Sequence, residues 1–167
     1  PQLIKEMSSE AEIKKDDRIV FCTCARFSPV KGIDLAVKAA KILKDKGFEF
    51  LWYFVGDGPT RPEIEKLIDQ YKLNDYINLT GMQKNPYPYI VYSDLFALYS
   101  AYEGHPMVIG EAIAADTYIL TTNYAASEEQ IGSEHGIIAL SDEDFYRKIK
   151  DLIKNFKGKE EYDAFVK

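Results

Sequence analysis

The sequence predicts an α/β domain with a doubly wound, mostly parallel, six-stranded sheet and helices on both faces. Short β-rich apolar runs alternate with amphipathic segments along the chain, and the connections between them are short. The run "FLWYFVG" is apolar throughout, as expected for a strand covered on both sides. The length of 167 residues suits one domain with its own core. These features together predict a Rossmann-like fold.

The β-rich runs place strands at 18–24, 50–56, 76–81, 95–100, 117–123 and 136–140. Helices are predicted at 32–47, 61–73, 87–94, 106–115, around 127–132, and at 142–156. The first helix ends at Gly47 and has apolar residues at helical spacing, namely Ile33, Ala36, Val37, Ala40 and Leu43. Such sheets bind ligands beyond the carboxyl ends of their strands, so the loops of interest are 25–31, 56–60, 81–86, 100–106 and 123–128.

Composition and charge exclude several classes of protein. The net charge of −6 argues against nucleic acid as a partner, because no basic stripe is present. No apolar run is long enough to span a membrane, and residues 1–17 are too polar for a signal peptide. Cys22 and Cys24 are expected to be small buried residues in a reducing compartment, and no cluster has metal-ligand spacing. The start at Pro1 suggests a fragment of a longer protein.

Two cations, Arg26 and Lys31, flank a turn just before a predicted helix. A guanidinium fork, an ammonium group and the free amides of a helix start could together hold a diphosphate. The alternative for each residue alone is a solvated surface cation. Neither the G-x-G-x-x-G fingerprint nor the P-loop motif is present.

Two further loops carry turn signals. The glycines of "GDGP" (56–59) permit a tight turn with positive φ, with close approach to a ligand as the secondary interpretation. The stretch "NPYPYI" (85–90) is expected to set the entry to a short helix, with its tyrosines used in packing and contact with a substrate as the alternative.

The stretch "EGHPMVIGE" holds two carboxylates, Glu103 before a helix that is expected to begin at Pro106, and Glu111 on its second turn. A carboxylate only accepts hydrogen bonds, so beside a phosphate its natural partner is a sugar hydroxyl. The alternative assigns Glu103 to the helix dipole and Glu111 to a solvated face. His105 lies in the same loop and could contact a hydroxyl or a phosphate.

"ARFSPVKG", "VGDGP", "NPYPYI" and "SDLFALYSAYEGHPMVIGEAIAADTYILTTN" resemble, in order and spacing, the retaining glycosyltransferases of family 4. The resemblance covers about residues 18–140 and includes the E-x7-E signature at Glu103 and Glu111. It implies the C-terminal, donor-binding half of a GT-B fold, with the acceptor-binding N-terminal domain outside residues 1–167. "NPYPYI" and "TTNY" are similar to the branch that builds bacterial capsule, O-antigen and exopolysaccharide.

The resemblance implies three catalytic residues. Arg26 and Lys31 would neutralise the diphosphate of a nucleotide-sugar as it leaves, and Glu103 would contact the sugar near the reacting centre. Glu111 would accept hydrogen bonds from the ribose hydroxyls.

The remaining donor contacts follow in the same way. Gly104 would let the loop approach the sugar, and the amides of Met107 and Val108 would face a phosphate. Met82 and Gln83 would lie near the nucleobase. The donor would be UDP- or GDP-linked, and no cofactor or metal is expected. The acceptor would be a saccharide or polyprenyl-linked sugar held by the N-terminal domain. The resemblance places the full protein in the cytoplasm, with peripheral association at the inner membrane face left open.

The chain departs from the family pattern in three places. Ala25 stands where the family usually has Gly, and Asp116 begins a segment that replaces G-x-P. Asp tolerates the left-handed conformation that Gly would supply there. The usual Gly pair after the fifth strand is replaced within "NYAASEEQ". Two other functions stay open: a nucleotide- or sugar-binding module without chemistry, and a GT-B nucleotide-sugar epimerase.

Overall fold

A computed structural model describes residues 13, 17–99, 106–122, 124, 126–139 and 141–154. One six-stranded sheet forms the centre, and every neighbouring pair of strands in it is parallel. The strands are β1 (Ile19–Cys24), β2 (Phe50–Val55), β3 (Ile77–Gly81), β4 (Leu95–Leu98), β5 (Tyr118–Thr122) and β6 (Gly136–Ala139). Their order is β3-β2-β1-β4-β5-β6. The predicted fold class is confirmed.

The described residues form six α-helices: α1 (Ile33–Asp45), α2 (Arg61–Gln70), α3 (Tyr87–Tyr92), α4 (Met107–Ala114), α5 (Ser127–His135) and α6 (Asp142–Lys154). The first five connect successive strands, and α6 follows β6. A short 3-10 turn, Pro29–Lys31, precedes α1. The predicted boundaries agree with these to within about three residues. Helix α5 continues past its predicted end through a kink at Gly132, where φ is 62°.

The core lies on both faces of the sheet, because successive strand residues point to opposite sides. Along β1, Ile19 and Phe21 enter one buried cluster, whereas Val20 and Cys22 enter the other. Helices α1, α2 and α6 cover the first cluster, and α3, α4 and α5 cover the second. This two-sided burial explains why the strands read as continuous apolar runs.

The chain reverses its winding direction between β1 and β4, which are neighbours in the sheet. Buried polar groups reinforce this junction. The Asp94 carboxylate accepts a hydrogen bond from the Val20 amide at 2.8 Å. The Thr23 hydroxyl donates to the Ala97 carbonyl at 2.6 Å and accepts from the Trp52 indole at 3.0 Å. The point where a doubly wound sheet leaves a crevice for ligands is thus held by specific bonds.

Two predictions about single residues have different outcomes. Asp116 adopts the left-handed conformation predicted for it, with φ of 58°. The prediction that α4 begins at Pro106 is wrong by one residue. Pro106 has an extended ψ of 125° and is the cap, so Met107 is the first helical residue.

Candidate functional site

A cleft of about 600 Å³ opens at the carboxyl ends of β1, β2 and β3. Its walls come from the loops that follow these three strands, and it is lined by Cys24, Ala25, Arg26, Val55, Gly56, Asp57, Gly58, Met82, Gln83 and Pro86. Three of the residues predicted from the sequence, Arg26, Met82 and Gln83, therefore meet in one cavity. Arg26 lies more than fifty residues before Met82 and Gln83 in the chain.

Two glycines let the loop after β2 pack directly against the loop after β1. Gly56 has φ of 143°, and a Cβ there would lie 2.0 Å from the Ala25 carbonyl oxygen. A Cβ on Gly58 would lie 2.4 Å from the Phe27 oxygen. The positive φ values expected for "GDGP" are confirmed, and the close approach they allow is to backbone.

This packing fixes the backbone on both sides of Arg26. The Ala25 amide donates to the Val55 carbonyl at 3.1 Å, and the Phe27 amide donates to the Asp57 carbonyl at 2.9 Å. Phe27 is fully buried, whereas Arg26 is exposed. The guanidinium is therefore presented to the cleft from a segment that is anchored at both neighbours.

Lys31 lies on the other side of the β1–β4 junction and is not among the residues that line the cleft. It is followed by Gly32, whose φ is 61° and which ends the 3-10 turn. A Cβ on Gly32 would lie 2.5 Å from the carbonyl oxygen of Tyr99, which follows β4. The two predicted cations thus flank the junction, Arg26 beside β1 and Lys31 beside the end of β4.

The loop after β3 forms the outer wall of the cleft. The Gln83 carboxamide donates to the Thr80 carbonyl at 2.8 Å, which anchors this loop to its own strand. Met82 is 80% exposed and Met107 is 82% exposed, the highest exposures among large apolar side chains in the described part of the chain. Met82 lines the cleft and gives it an exposed apolar edge, whereas Met107 lies at the start of α4.

Asp57 and Cys24 line the cleft although the sequence alone predicted no role in the site for either residue. The Asp57 carboxylate accepts from the Gly58 amide at 2.8 Å and pairs with Arg61 at 3.2 Å. Arg61 also donates a hydrogen bond to Glu65 at 2.8 Å, and this bond is the main reason that the pKa of the guanidinium is raised. The sequence signal that could have identified Asp57 and Cys24 is their position at or just after the end of a strand.

Helix α4 carries the next group of predicted residues at the same edge of the sheet. Its cap residue, Pro106, makes no side-chain capping hydrogen bond. Met107 and Glu111 are four residues apart and share one face of the helix, whereas Ile109 and Ala112 are buried in the core. Glu111 is half-buried, and this burial raises the pKa of its carboxyl group. Glu103, Gly104 and His105 lie outside the described residues.

The two cysteines are free thiols, with 3.7 Å between their sulfur atoms. Cys22 is fully buried, and burial, ahead of its contact with Cys24, raises the pKa of its thiol well above the ordinary value. Over the described residues, no group of three or more His, Cys, Asp or Glu side chains could hold a metal ion. In that same part of the structure, no helix has the length and apolarity to cross a membrane.

"NPYPYI" has the role in packing that was predicted. The Tyr87 amide donates to the Asn85 side chain at 3.3 Å, at the entry to α3. The ring of Tyr89 packs edge-on against Tyr53, with 5.2 Å between ring centroids.

The family described as "glycosyl transferases group 1" has a sequence model that matches residues 4–167. The chain belongs to this family. An uncharacterized glycosyltransferase of Methanocaldococcus jannaschii, MJ1059, is 28% identical over 141 residues, which is 84% of this chain and 35% of that protein. The lipopolysaccharide core biosynthesis glycosyltransferase LpsD of Rhizobium meliloti is 34% identical over 87 residues, 52% of this chain and 24% of that protein.

The fold of this group 1 glycosyltransferase domain matches solved structures of similar proteins. HepE of Anabaena, solved with UDP and glucose, superposes with a TM-score of 0.76 at 17% identity, over 99% of this chain and 44% of that one. At that identity the likeness shows the fold alone, which is the C-terminal, Rossmann-like half of a GT-B enzyme. The chain thus spans less than half the length of each of these three proteins.

Proposed function

We propose that this chain is the donor-binding half of a retaining glycosyltransferase that acts in the synthesis of a bacterial surface polysaccharide. The observation that carries the proposal is the meeting of Arg26, Met82 and Gln83 in one cleft at the carboxyl edge of the parallel sheet. Family membership supports the enzyme class, and LpsD supports polysaccharide synthesis as the setting. The acceptor would be a saccharide or polyprenyl-linked sugar held by a second domain.

The cleft would take the nucleotide end of the donor. The Met82 thioether is an adaptable apolar surface suited to the face of a base, and Gln83 lies beside it in an anchored loop. The UDP complex of HepE favours a uridine donor, with a guanosine donor as the alternative. From there the diphosphate would extend toward Arg26 and Lys31.

The diphosphate would be held by charge and by amide groups. Arg26 offers a planar fork and Lys31 a point charge, one on each side of the β1–β4 junction. The amides of Met107 and Val108 lie in the first turn of α4, where amides have no partner within the helix, and they would face a phosphate. Glu111, half-buried on the outward face of the same helix, would accept hydrogen bonds from the ribose hydroxyls.

The reaction would break the bond between the anomeric carbon and the diphosphate oxygen and form one to an acceptor oxygen, which loses its proton. Negative charge builds on the leaving diphosphate, so cations aimed at it lower the barrier. Glu103 would contact the sugar near this centre. We assign neither a cofactor nor a metal to the reaction. We place the full protein in the cytoplasm or at the inner membrane face.

A thermal-shift panel of nucleotides and nucleotide-sugars tests the proposal. A ligand at a hundred times its dissociation constant stabilises the chain by about 2.7 kcal/mol, which raises Tm by roughly 5–10 °C for a domain of this size. We expect Arg26→Ala to weaken binding at least tenfold, so at the same ligand concentration the shift falls to about half.

The matched control is Arg147→Ala, an exposed arginine on α6 that pairs with Asp144 away from the cleft. It should leave the ligand-induced shift unchanged. No shift with any nucleotide, or equal loss in both variants, would contradict the proposed site. Binding without transfer by the complete two-domain protein would favour the non-catalytic binding module.

A further inference from the structure

Three residues form a chain of hydrogen bonds that links the loop after β5 to the start of α4. The Tyr124 hydroxyl lies 2.5 Å from Gln130 Oε1, and Gln130 Nε2 lies 2.9 Å from the carbonyl oxygen of Pro106. Tyr124 is 6% exposed, so its hydroxyl is largely withdrawn from water. The contact joins Gln130 to a residue twenty-four positions earlier in the chain.

The chemistry of the three groups sets the direction of this chain. The Pro106 carbonyl can only accept, so the amide nitrogen of Gln130 must face it. The amide oxygen of Gln130 then faces Tyr124, which must donate. A flipped carboxamide would place two acceptors together at Pro106, so the Pro106 carbonyl sets the orientation of Gln130, and the Tyr124 hydroxyl is a second anchor that donates to the amide oxygen.

The Pro106 carbonyl shares one planar peptide group with the N–H of Met107, the first helical residue of α4. A bond that holds the oxygen therefore also holds the direction of that N–H. Hydrogen bonding at the carbonyl polarises the group and makes its N–H a stronger donor. Support from the helix itself is weak here, since the Ile109 amide reaches the same oxygen at 3.3 Å, beyond the usual 2.9–3.0 Å.

We propose that Gln130 is a positioning residue for the donor diphosphate, and that Tyr124 anchors the amide oxygen of Gln130. This inference rests on the proposed function, because it concerns the peptide group that would face a phosphate. Both residues lie in "NYAASEEQ", the segment in which the chain departs from the family's glycine pair. The pair thus gives this sequence its own way of fixing the helix start.

Gln130→Met tests the idea, because it keeps the length of the side chain and removes both hydrogen bonds. Calorimetric titration should show UDP binding weakened about five- to tenfold and uridine binding unchanged, since only UDP carries the phosphates. Tyr124→Phe should weaken UDP binding less, because Gln130 can still reach Pro106. Gln70→Met, at an exposed position on α2, is the matched control and should change neither ligand. Equal weakening of UDP and uridine would overturn the inference.

A second measurement needs no ligand. In the Gln130→Met variant, the backbone ¹⁵N resonance of Met107 should move upfield, because hydrogen bonding at a carbonyl deshields the nitrogen of the same peptide group. The Ile109 amide should exchange its hydrogen faster. Unchanged Met107 and Ile109 amides would overturn the inference. If the wild-type chain binds no nucleotide, the proposed function fails. The Met107 nitrogen shift and the Ile109 exchange rate still show whether Gln130 holds the start of α4.

Discussion

Replacing Gly56 by alanine tests how the cleft is built. The added Cβ would lie 2.0 Å from the Ala25 carbonyl oxygen and 3.1 Å from its carbon, and both are backbone atoms. Relief would require the two loops to separate, and the bond of 3.1 Å from the Ala25 amide to the Val55 carbonyl holds them together. The φ of 143° adds about 1–3 kcal/mol of strain, and the clash adds about 1–3 kcal/mol more. We expect a loss of about 2–6 kcal/mol in the free energy of unfolding.

Alanine substitutions at two other glycines separate the strain of the backbone conformation from the clash of the added Cβ. Gly47 has φ of 84°, and a Cβ added there would meet nothing within 4 Å, so Gly47→Ala should cost only about 1–2 kcal/mol. Gly110 lies inside α4 with open space around it, so Gly110→Ala should stabilise the chain by about 0.5–1 kcal/mol. Urea unfolding at constant m-value gives all three numbers. A Gly56→Ala loss no larger than that of Gly47→Ala would refute the reasoning.

Two more predictions concern the site. Burial raises the pKa of the Glu111 carboxyl group, so the folded state favours the protonated form. The contribution of this group to the free energy of unfolding is therefore complete below the ordinary pKa of a glutamate, and it is lost as the pH rises through the raised pKa. Glu111→Gln should therefore be more stable than wild type at neutral pH, and the difference should vanish in acid. The variant should also bind UDP about fivefold more weakly, because it loses a charged hydrogen-bond acceptor. Urea unfolding as a function of pH measures the stability and calorimetry measures the binding, and a less stable variant would contradict the burial argument. Alkylation followed by peptide mass spectrometry should find Cys24 modified, and more slowly with UDP bound, because it lines the cleft, while Cys22 stays inert as a buried thiol with a raised pKa. If Cys24 is alkylated equally fast with and without UDP, the nucleotide does not bind in the cleft.

Much of the fold could be predicted because each element carries its own pattern. Ile33, Ala36, Val37, Ala40 and Leu43, the five apolar positions of the first predicted helix, are all buried. The strand order could not be predicted, because it depends on pairing between distant segments. Asp94 shows this: in the sequence it only interrupts an apolar region, whereas in the structure it joins β4 to β1.

Part of the cleft lining could be predicted, because it follows from the topology of the sheet. Arg26, Met82 and Gln83 are predicted to lie in loops that follow strands, and these loops meet in space. Asp57 was missed because the glycines and proline of its loop predict a structural turn. Cys24 was missed because a cysteine in a strand is expected to be a buried core residue. Gln130 carries no local signal, since the acceptor of its hydrogen bond lies twenty-four residues earlier in the chain.

Amide chemical-shift mapping during a UDP titration tests the proposed donor site most directly. We expect perturbed amides at Arg26, Asp57 and Gln83 and at the start of α4. A competing location in the described part of the structure is a groove of about 270 Å³ between α1 and α6, lined in part by Lys46 and Tyr146. Perturbations confined to that groove, or none with any nucleotide, would contradict the proposed site.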